Sequence, residues 1–262
     1  MTIDTHIEHA QARVRTEQEA ADARLDAYET FIRRVRGLET ERTSASAGSA
    51  AVVGTTHLTA DTVSTDRCRT VRNAFAETIP PHSVADTDGS EPLLETIREE
   101  FTDTIAVALA PTTDASLTPD LKRMVVAEAR SRRSETAALQ TALGRETEQL
   151  ADAAATVDDI VAWIVEANET PLTDRGFDAL KQRHETLASH RDRCEDVARE
   201  RQAFLRGTTN DGFDAGIRHR RLVPYLYQEL PVDHPVLATV TTLDETCRSC
   251  QSAVRDQLVR RA

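Results

Sequence analysis

Residues 139–168 read LQTALGRETEQLADAAATVDDIVAWIVEAN, and residues 177–205 read FDALKQRHETLASHRDRCEDVARERQAFL. In the first stretch Leu139, Leu143, Glu146, Leu150, Ala153, Val157, Ile160 and Ile164 recur at steps of four and three. In the second, Phe177, Leu180, His184, Leu187, Arg191, Cys194, Ala198, Arg201 and Leu205 keep the same rhythm. With 3.6 residues per turn these steps stay on one side of an α-helix, whereas a half-buried strand alternates every second residue. A helix cannot bury such a stripe alone. The short connection Glu169-Thr-Pro-Leu-Thr therefore predicts that the two helices fold back as an antiparallel coiled-coil hairpin over 118–206.

Upstream, Thr118-Pro119-Asp120 is a start signal: a hydroxyl cap, a proline whose missing N–H costs nothing there, and an acid near the positive dipole end. One helix can then run from 119 to 168, with Gly144 as its weak point at a cost of ~1 kcal/mol relative to alanine. At the N-terminus Ile3, Ile7, Ala10, Val14, Glu17, Ala21, Arg24, Tyr28, Phe31 and Val35 form another stripe of the same spacing, stopped by Gly37. Glu29 and Arg33 stand at favourable i,i+4 spacing on that helix.

Residues 38–58, with Thr43-Ser-Ala-Ser-Ala-Gly-Ser-Ala-Ala, carry no periodicity and read as a flexible linker. A helix over 60–79 carries Cys68, Val71, Phe75 and Ile79 and ends at Pro80-Pro81. Ser90-Glu91-Pro92 opens another, with Leu94, Ile97, Phe101, Ile105 and Leu109 on one face and Pro111 beyond it. After a loop at Gly207–Gly216, a short helix around 213–228 contains Leu222-Val-Pro-Tyr-Leu-Tyr227, where Pro224 must sit near an end or kink it. The last helix starts near Asp233-His234-Pro235 and carries Val236, Val240, Leu243, Cys247, Cys250, Val254 and Leu258. No strand pattern is present. The expectation is an all-α protein of about seven helices. The 118–206 hairpin would form an elongated bundle with the N- and C-terminal helices, divided as a 1–37 helix, the 38–58 linker and a 59–262 bundle.

Composition bounds the function. The chain has 44 acidic against 32 basic residues, a net charge of −12, and only Lys122 and Lys181 as lysines. Acidic excess with so little lysine points to adaptation to high salt, where the Debye length shrinks to ~3 Å at 1 M. Salt also removes the counterion-release contribution that drives phosphate binding. No apolar run approaches the ~18–20 residues of a membrane span. The first residues lack a basic, then apolar, secretory signal, and four cysteines in 262 residues make no disulfide scaffold. These features read as a cytoplasmic protein with no membrane partner.

Cys247-Arg-Ser-Cys250 is the most tempting chemical motif. A redox pair needs its first thiol at a helix N-terminus, and a zinc site needs two further ligands. Here both cysteines fall on an apolar stripe deep in a predicted helix, so two small core residues are the competing reading. His6 and His9 share one helical face beside Glu8, a weak metal-binding arrangement whose competing reading is a solvated turn at the chain start. His184 on the hairpin stripe reads as a seam histidine bonded to a carboxylate. No histidine has a glutamate three residues before it, and GxxxxGK[ST], GxGxxG, GxSxG and HExxH are all missing. No catalytic residue and no cofactor is expected.

Arginines cluster at Arg33–Arg36, Arg130–Arg133, Arg218–Arg221 and Arg260–Arg261. They suit phosphate, or they pair with carboxylates on a solvated face, as Glu128 with Arg132 and Glu195 with Arg199. Arg218, Arg220 and Arg221 beside Tyr225 and Tyr227 form the best candidate surface for a partner or nucleic acid. The segments Ile7-Glu-His-Ala-Gln-Ala-Arg-Val-Arg-Thr-Glu17, Phe31-Ile-Arg-Arg-Val35, Leu117-Thr-Pro-Asp-Leu-Lys122, Pro224-Tyr-Leu-Tyr-Gln-Glu-Leu-Pro231 and Pro235-Val-Leu-Ala-Thr239 resemble an uncharacterised helical family of halophilic archaea, a domain of unknown function. The resemblance implies a salt-adapted helical protein and no activity, cofactor or site residue. The leading functional expectation is a non-enzymatic interaction or scaffold protein, with a homodimer or partner on its heptad faces. The alternatives are a nucleic-acid-associated regulator using the arginines, and a redox or metal protein centred on Cys247 and Cys250.

Overall fold

Thr118 starts the longest helix in the way its sequence requires: its Oγ1 accepts a hydrogen bond from the Leu121 N–H at 3.1 Å, and the helix begins at Pro119. The computed structural model describes residues 6–40, 60–82, 93–113, 115–209 and 217–261. In chain order the helices are α1 (His6–Gly37), α2 (Ala60–Thr78), α3 (Leu93–Glu100), α4 (Asp103–Leu109), α5 (Pro119–Asn168), α6 (Phe177–Arg206), α7 (His219–Tyr227) and α8 (Pro235–Val259). The protein is all-α, with eight α-helices among the described residues. Its only strands there are β1 (Thr208–Thr209) and β2 (Ile217–Arg218), a two-residue antiparallel pairing that the sequence did not signal.

α5 is one continuous helix of 50 residues, and Gly144 does not break it. The face at 93–109, by contrast, is two helices where the periodicity predicts one. The chain leaves helical geometry at Thr102 (φ −147°, ψ 155°), whose hydroxyl caps α4 by accepting from the Ile105 N–H at 3.3 Å. Thr102-Asp103 is itself a start signal. It went unread because the apolar spacing runs on through Phe101, which stays buried across the break.

The chain forms two compact units. Residues 19–137 make one; residues 1–18 with 138–262 make the other, so α1 and α5 each contribute to both. Most of the predicted linker, 41–58, lies outside the described residues. Leu38, at its start, packs partly buried against the core, and its carbonyl accepts from Lys122 Nζ at 2.6 Å.

In the 19–137 unit, buried residues of α1, α2, α3, α4 and α5 form one apolar cluster. Phe31, Phe75 and Phe101 sit at its centre with ring centroids 5.3 to 5.9 Å apart, two of the three pairs edge-to-face. Such contacts add ~0.5–1.5 kcal/mol each beyond the area they bury. Glu29 meets Arg133 of α5 at 3.7 Å rather than its helical neighbour Arg33, which donates to Thr30. A tertiary partner displaces the local pair predicted from spacing.

In the other unit, cross-helix partners run in opposite senses. Arg183 reaches the Ala167 carbonyl, Trp163 meets His190, Arg193 meets Asp159 and Arg201 meets Glu146, so α6 descends as α5 ascends. α8 runs antiparallel to α6 in turn, through Arg191–Asp244 at 2.8 Å and a bond from Gln251 Nε2 to the His184 carbonyl at 3.3 Å.

The α5 stripe is buried as predicted from Leu143 to Ile164. On α6 one column is as predicted (Leu180, Leu187, Cys194, Arg201), but the other is Arg183, His190 and Val197 rather than His184, Arg191 and Ala198. α6 lies between two neighbours, so a second stripe one residue over is also covered. The Phe177 side chain, at the helix start, is exposed. The expected seam histidine, His184, is half-buried, and His190 takes the seam position. Glu128–Arg132 and Glu195–Arg199 form as predicted, at 3.6 and 3.0 Å.

Candidate functional site

α7 is nine residues long, too short to hold together on its own in water. Its stability must come from what its inner face touches. His219, Leu222, Val223, Leu226 and Tyr227 are buried. Pro224 lies inside the helix, where it removes one N–H donor, and its ring is on the exposed side.

Beneath α7 is a buried charged cluster. Arg201 of α6 forks onto Glu146 of α5, with Nη1 donating to Oε2 at 2.8 Å and Nη2 to Oε1 at 2.7 Å. The Tyr227 hydroxyl donates to the same Glu146 Oε1. Glu146 and Tyr227 are 0% exposed and Arg201 3%. Two-pronged pairing of this kind is the strongest arginine–carboxylate geometry, and both carboxylate oxygens are satisfied. Burial, and then the neighbouring Glu146 carboxylate, push the Tyr227 phenol well above the ordinary tyrosine value. The Arg201 guanidinium also lies 5.1 Å from the Phe204 ring centroid, and Phe204 stacks on His219 at 4.1 Å. Burial pulls the His219 pKa down from its usual value, against an opposing pull from Glu146.

The cluster joins three helices: Glu146 and Arg201 are polar interruptions of the two hairpin stripes, and Tyr227 comes from α7. It also corrects one reading: Tyr227 is an internal anchor and offers no side chain to a partner. Arg218, Arg220, Arg221 and Tyr225 are exposed, Tyr225 at 44%. The three arginines make no side-chain hydrogen bond or ion pair with the described residues.

The cysteine motif falls on α8, close to Cys194 of α6. Cys247 is fully buried, and burial first, then the nearby Cys194 and Cys250, push its thiol up to about 12. Burial likewise raises Cys194 to about 11. Cys250 is half-buried at the edge of the stripe, and Gln251 takes the buried place. The Cys194 and Cys247 thiols, with their raised pKa values, are protonated at neutral pH, the opposite of what a nucleophile or ligand requires. Among the described residues no group of three His, Cys, Asp or Glu side chains converges on a point that suits a metal.

A groove of about 390 Å³ runs between α6 and α8. On its wall Asp244 accepts from both Arg191 at 2.8 Å and Arg248 at 3.0 Å, so both guanidinium groups of the groove are paired. Two further residues were not singled out by sequence. Arg183 donates to the Ala167 carbonyl and to Asn168 Oδ1 at 2.7 Å, closing the C-terminal end of α5. His190 packs against Trp163. A buried arginine or histidine one position from an equally polar neighbour leaves no trace in apolar periodicity.

A family model described as a domain of unknown function, DUF7260, matches residues 5–251. The chain belongs to the DUF7260 family. The match takes in α1 through most of α8, and hence both the Glu146–Arg201–Tyr227 cluster and the α7 surface of this DUF7260 chain. No curated protein and no solved structure gives a match. No helix among the described residues is long and apolar enough to cross a membrane.

Proposed function

We propose that this DUF7260 chain is a non-enzymatic helical interaction protein that docks an anionic protein partner on the outer face of α7. One observation carries the reading: Arg218, Arg220 and Arg221 stand exposed, without an ion pair to any described residue, beside a half-exposed Tyr225, at and within the first turn of a helix anchored from beneath by buried charge. Elsewhere Arg132, Arg191 and Arg201 each meet a carboxylate. A rigid element that holds guanidinium groups outward has its geometry fixed before a partner arrives, which lowers the ordering cost of binding. Arginine forks match carboxylates and phosphates alike. High salt removes the counterion-release contribution on which polyanion binding rests, whereas a short acidic segment can fork directly onto these guanidinium groups.

The test is affinity capture at the protein's native salt, comparing the full chain with an Arg218→Ser, Arg220→Ser, Arg221→Ser variant of unchanged helicity. Partners retained by the first and lost by the second support the reading. Identical captures remove it. A nucleic-acid partner is the second reading, favoured by an aromatic ring beside arginines. It requires oligonucleotide binding that survives the same salt. The acidic balance is read as adaptation to a high-salt cytoplasm. A homodimer would be a further use of the helical faces, and light scattering over a concentration series decides it.

A further inference from the structure

The seam between α5 and α6 is lined by Ile160, Ile164, Leu187 and Cys194, all buried, and it holds one titratable ring. His190 is 7% exposed, and its ring meets Trp163 edge-on, with centroids 4.8 Å apart and planes at 61°. Neither ring nitrogen has a hydrogen-bond partner among the described residues. The charges that act on it are Asp159 from α5 and Arg193 from α6, and these two pair with each other at 3.1 Å.

We propose that His190 makes this seam proton-sensitive: the hairpin closes on the neutral imidazole and loosens when the ring takes a proton. An imidazolium carries two N–H donors and needs acceptors for both, and among the described residues neither nitrogen meets one. A cation there also loses its hydration without gaining a close anion, because the Asp159 carboxylate is held by Arg193. Burial first, and then Arg193, lower the His190 pKa, while Asp159 opposes them.

The sign follows. A histidine whose folded pKa is depressed contributes its full stability above the unfolded value of ~6.5, and that contribution is lost as pH falls below it. The ceiling for any one histidine, set by a folded ring that takes no proton at all, is a ~25-fold drop in the folding equilibrium constant between pH 7 and pH 5. Nothing here depends on the α7 surface.

The protein carries its own reporter, since Trp163 is its single tryptophan. The experiment is urea unfolding of the full chain at pH 7 and pH 5, followed by Trp163 fluorescence, beside a His190→Leu variant. His219 and the carboxylates are common to both proteins and cancel in the comparison. A fall in folding constant several-fold greater in the unaltered protein, up to ~25-fold, supports the proposal. Falls equal within about twofold overturn it. Independently of any variant, the His190 ring resonance of the native protein should titrate below the ordinary histidine value. A midpoint at ~6.5 or above overturns the proposal.

Discussion

Replacing Arg201 with methionine removes one cation and strands an anion. Glu146 is 0% exposed, and with the guanidinium gone it keeps, among the described residues, only the Tyr227 hydroxyl. An effective dielectric of ~20 and a charge separation of ~4 Å give ~4 kcal/mol for the lost attraction. Measured losses on breaking one side of a buried pair, ~3–5 kcal/mol, agree with that figure. Loss of the contact with Phe204 adds ~0.5–2 kcal/mol. Against a domain stability of ~5–15 kcal/mol, the single change removes from about a quarter of the total to nearly all of it. The triple replacement Glu146→Leu, Arg201→Met and Tyr227→Phe leaves no stranded charge or hydroxyl. It should be near neutral, or more stable by ~1–4 kcal/mol, because the desolvation cost disappears with the pair. Urea unfolding monitored at Trp163, which lies in the same compact unit, reads both variants. A single variant that loses less than ~1 kcal/mol, or a triple variant as unstable as the single, refutes a buried, mutually satisfied cluster. High salt should leave the difference intact, since a pair hidden from solvent is screened little.

Gly144→Ala should stabilise the unit by ~0.8–1 kcal/mol in the same urea assay, because a Cβ there meets nothing within 4 Å and alanine is the better helix former. Thr102→Ala should cost ~1 kcal/mol and raise amide hydrogen exchange in α4, whose first turn loses its cap. Native-state alkylation at pH 8 should leave Cys247 unmodified, as burial pushes that thiol up to about 12; rapid labelling there would show an open α6–α8 seam. Tyr227 has a raised pKa in the fold, so its stabilising contribution is complete below ~10 and fades as pH climbs above it. Tyr227→Phe should accordingly flatten alkaline unfolding curves followed by circular dichroism.

The hairpin was legible because Leu143, Leu150, Val157 and Ile164 supply apolar bulk at every second step of the stripe, and no other element type accommodates that spacing. Thr118-Pro119 marked the start of α5 for an equally local reason, a cap whose geometry is complete within four residues. The α3–α4 break lay hidden because Phe101 preserves the apolar face across it. The second α6 column was illegible because His184 against His190, or Arg183 against Arg191, are choices between like residues, decided by where α8 lies. The α7 site was half readable. Composition flagged the arginines and tyrosines together, but only burial separates Tyr227, which points inward to Glu146, from Tyr225, which does not. Glu146 and Arg201 each stood out as polar interruptions of a stripe. That they answer one another across 55 residues depends on the register of the hairpin, which neither stripe states by itself.

The division of the chain also has a temporal side. The 19–137 unit is continuous in sequence, whereas the other combines residues 1–18 with 138–262. On a growing chain, every partner needed by the continuous unit has been made once residue 137 emerges. Ile7, Ala10 and Val14 have by then been waiting since the outset for a unit whose remaining part starts at residue 138. Closing so long a separation carries a chain-entropy cost that only late contacts can repay. Assembly of the continuous unit should therefore come first during synthesis, and capture of the waiting segment should be the slow, final event.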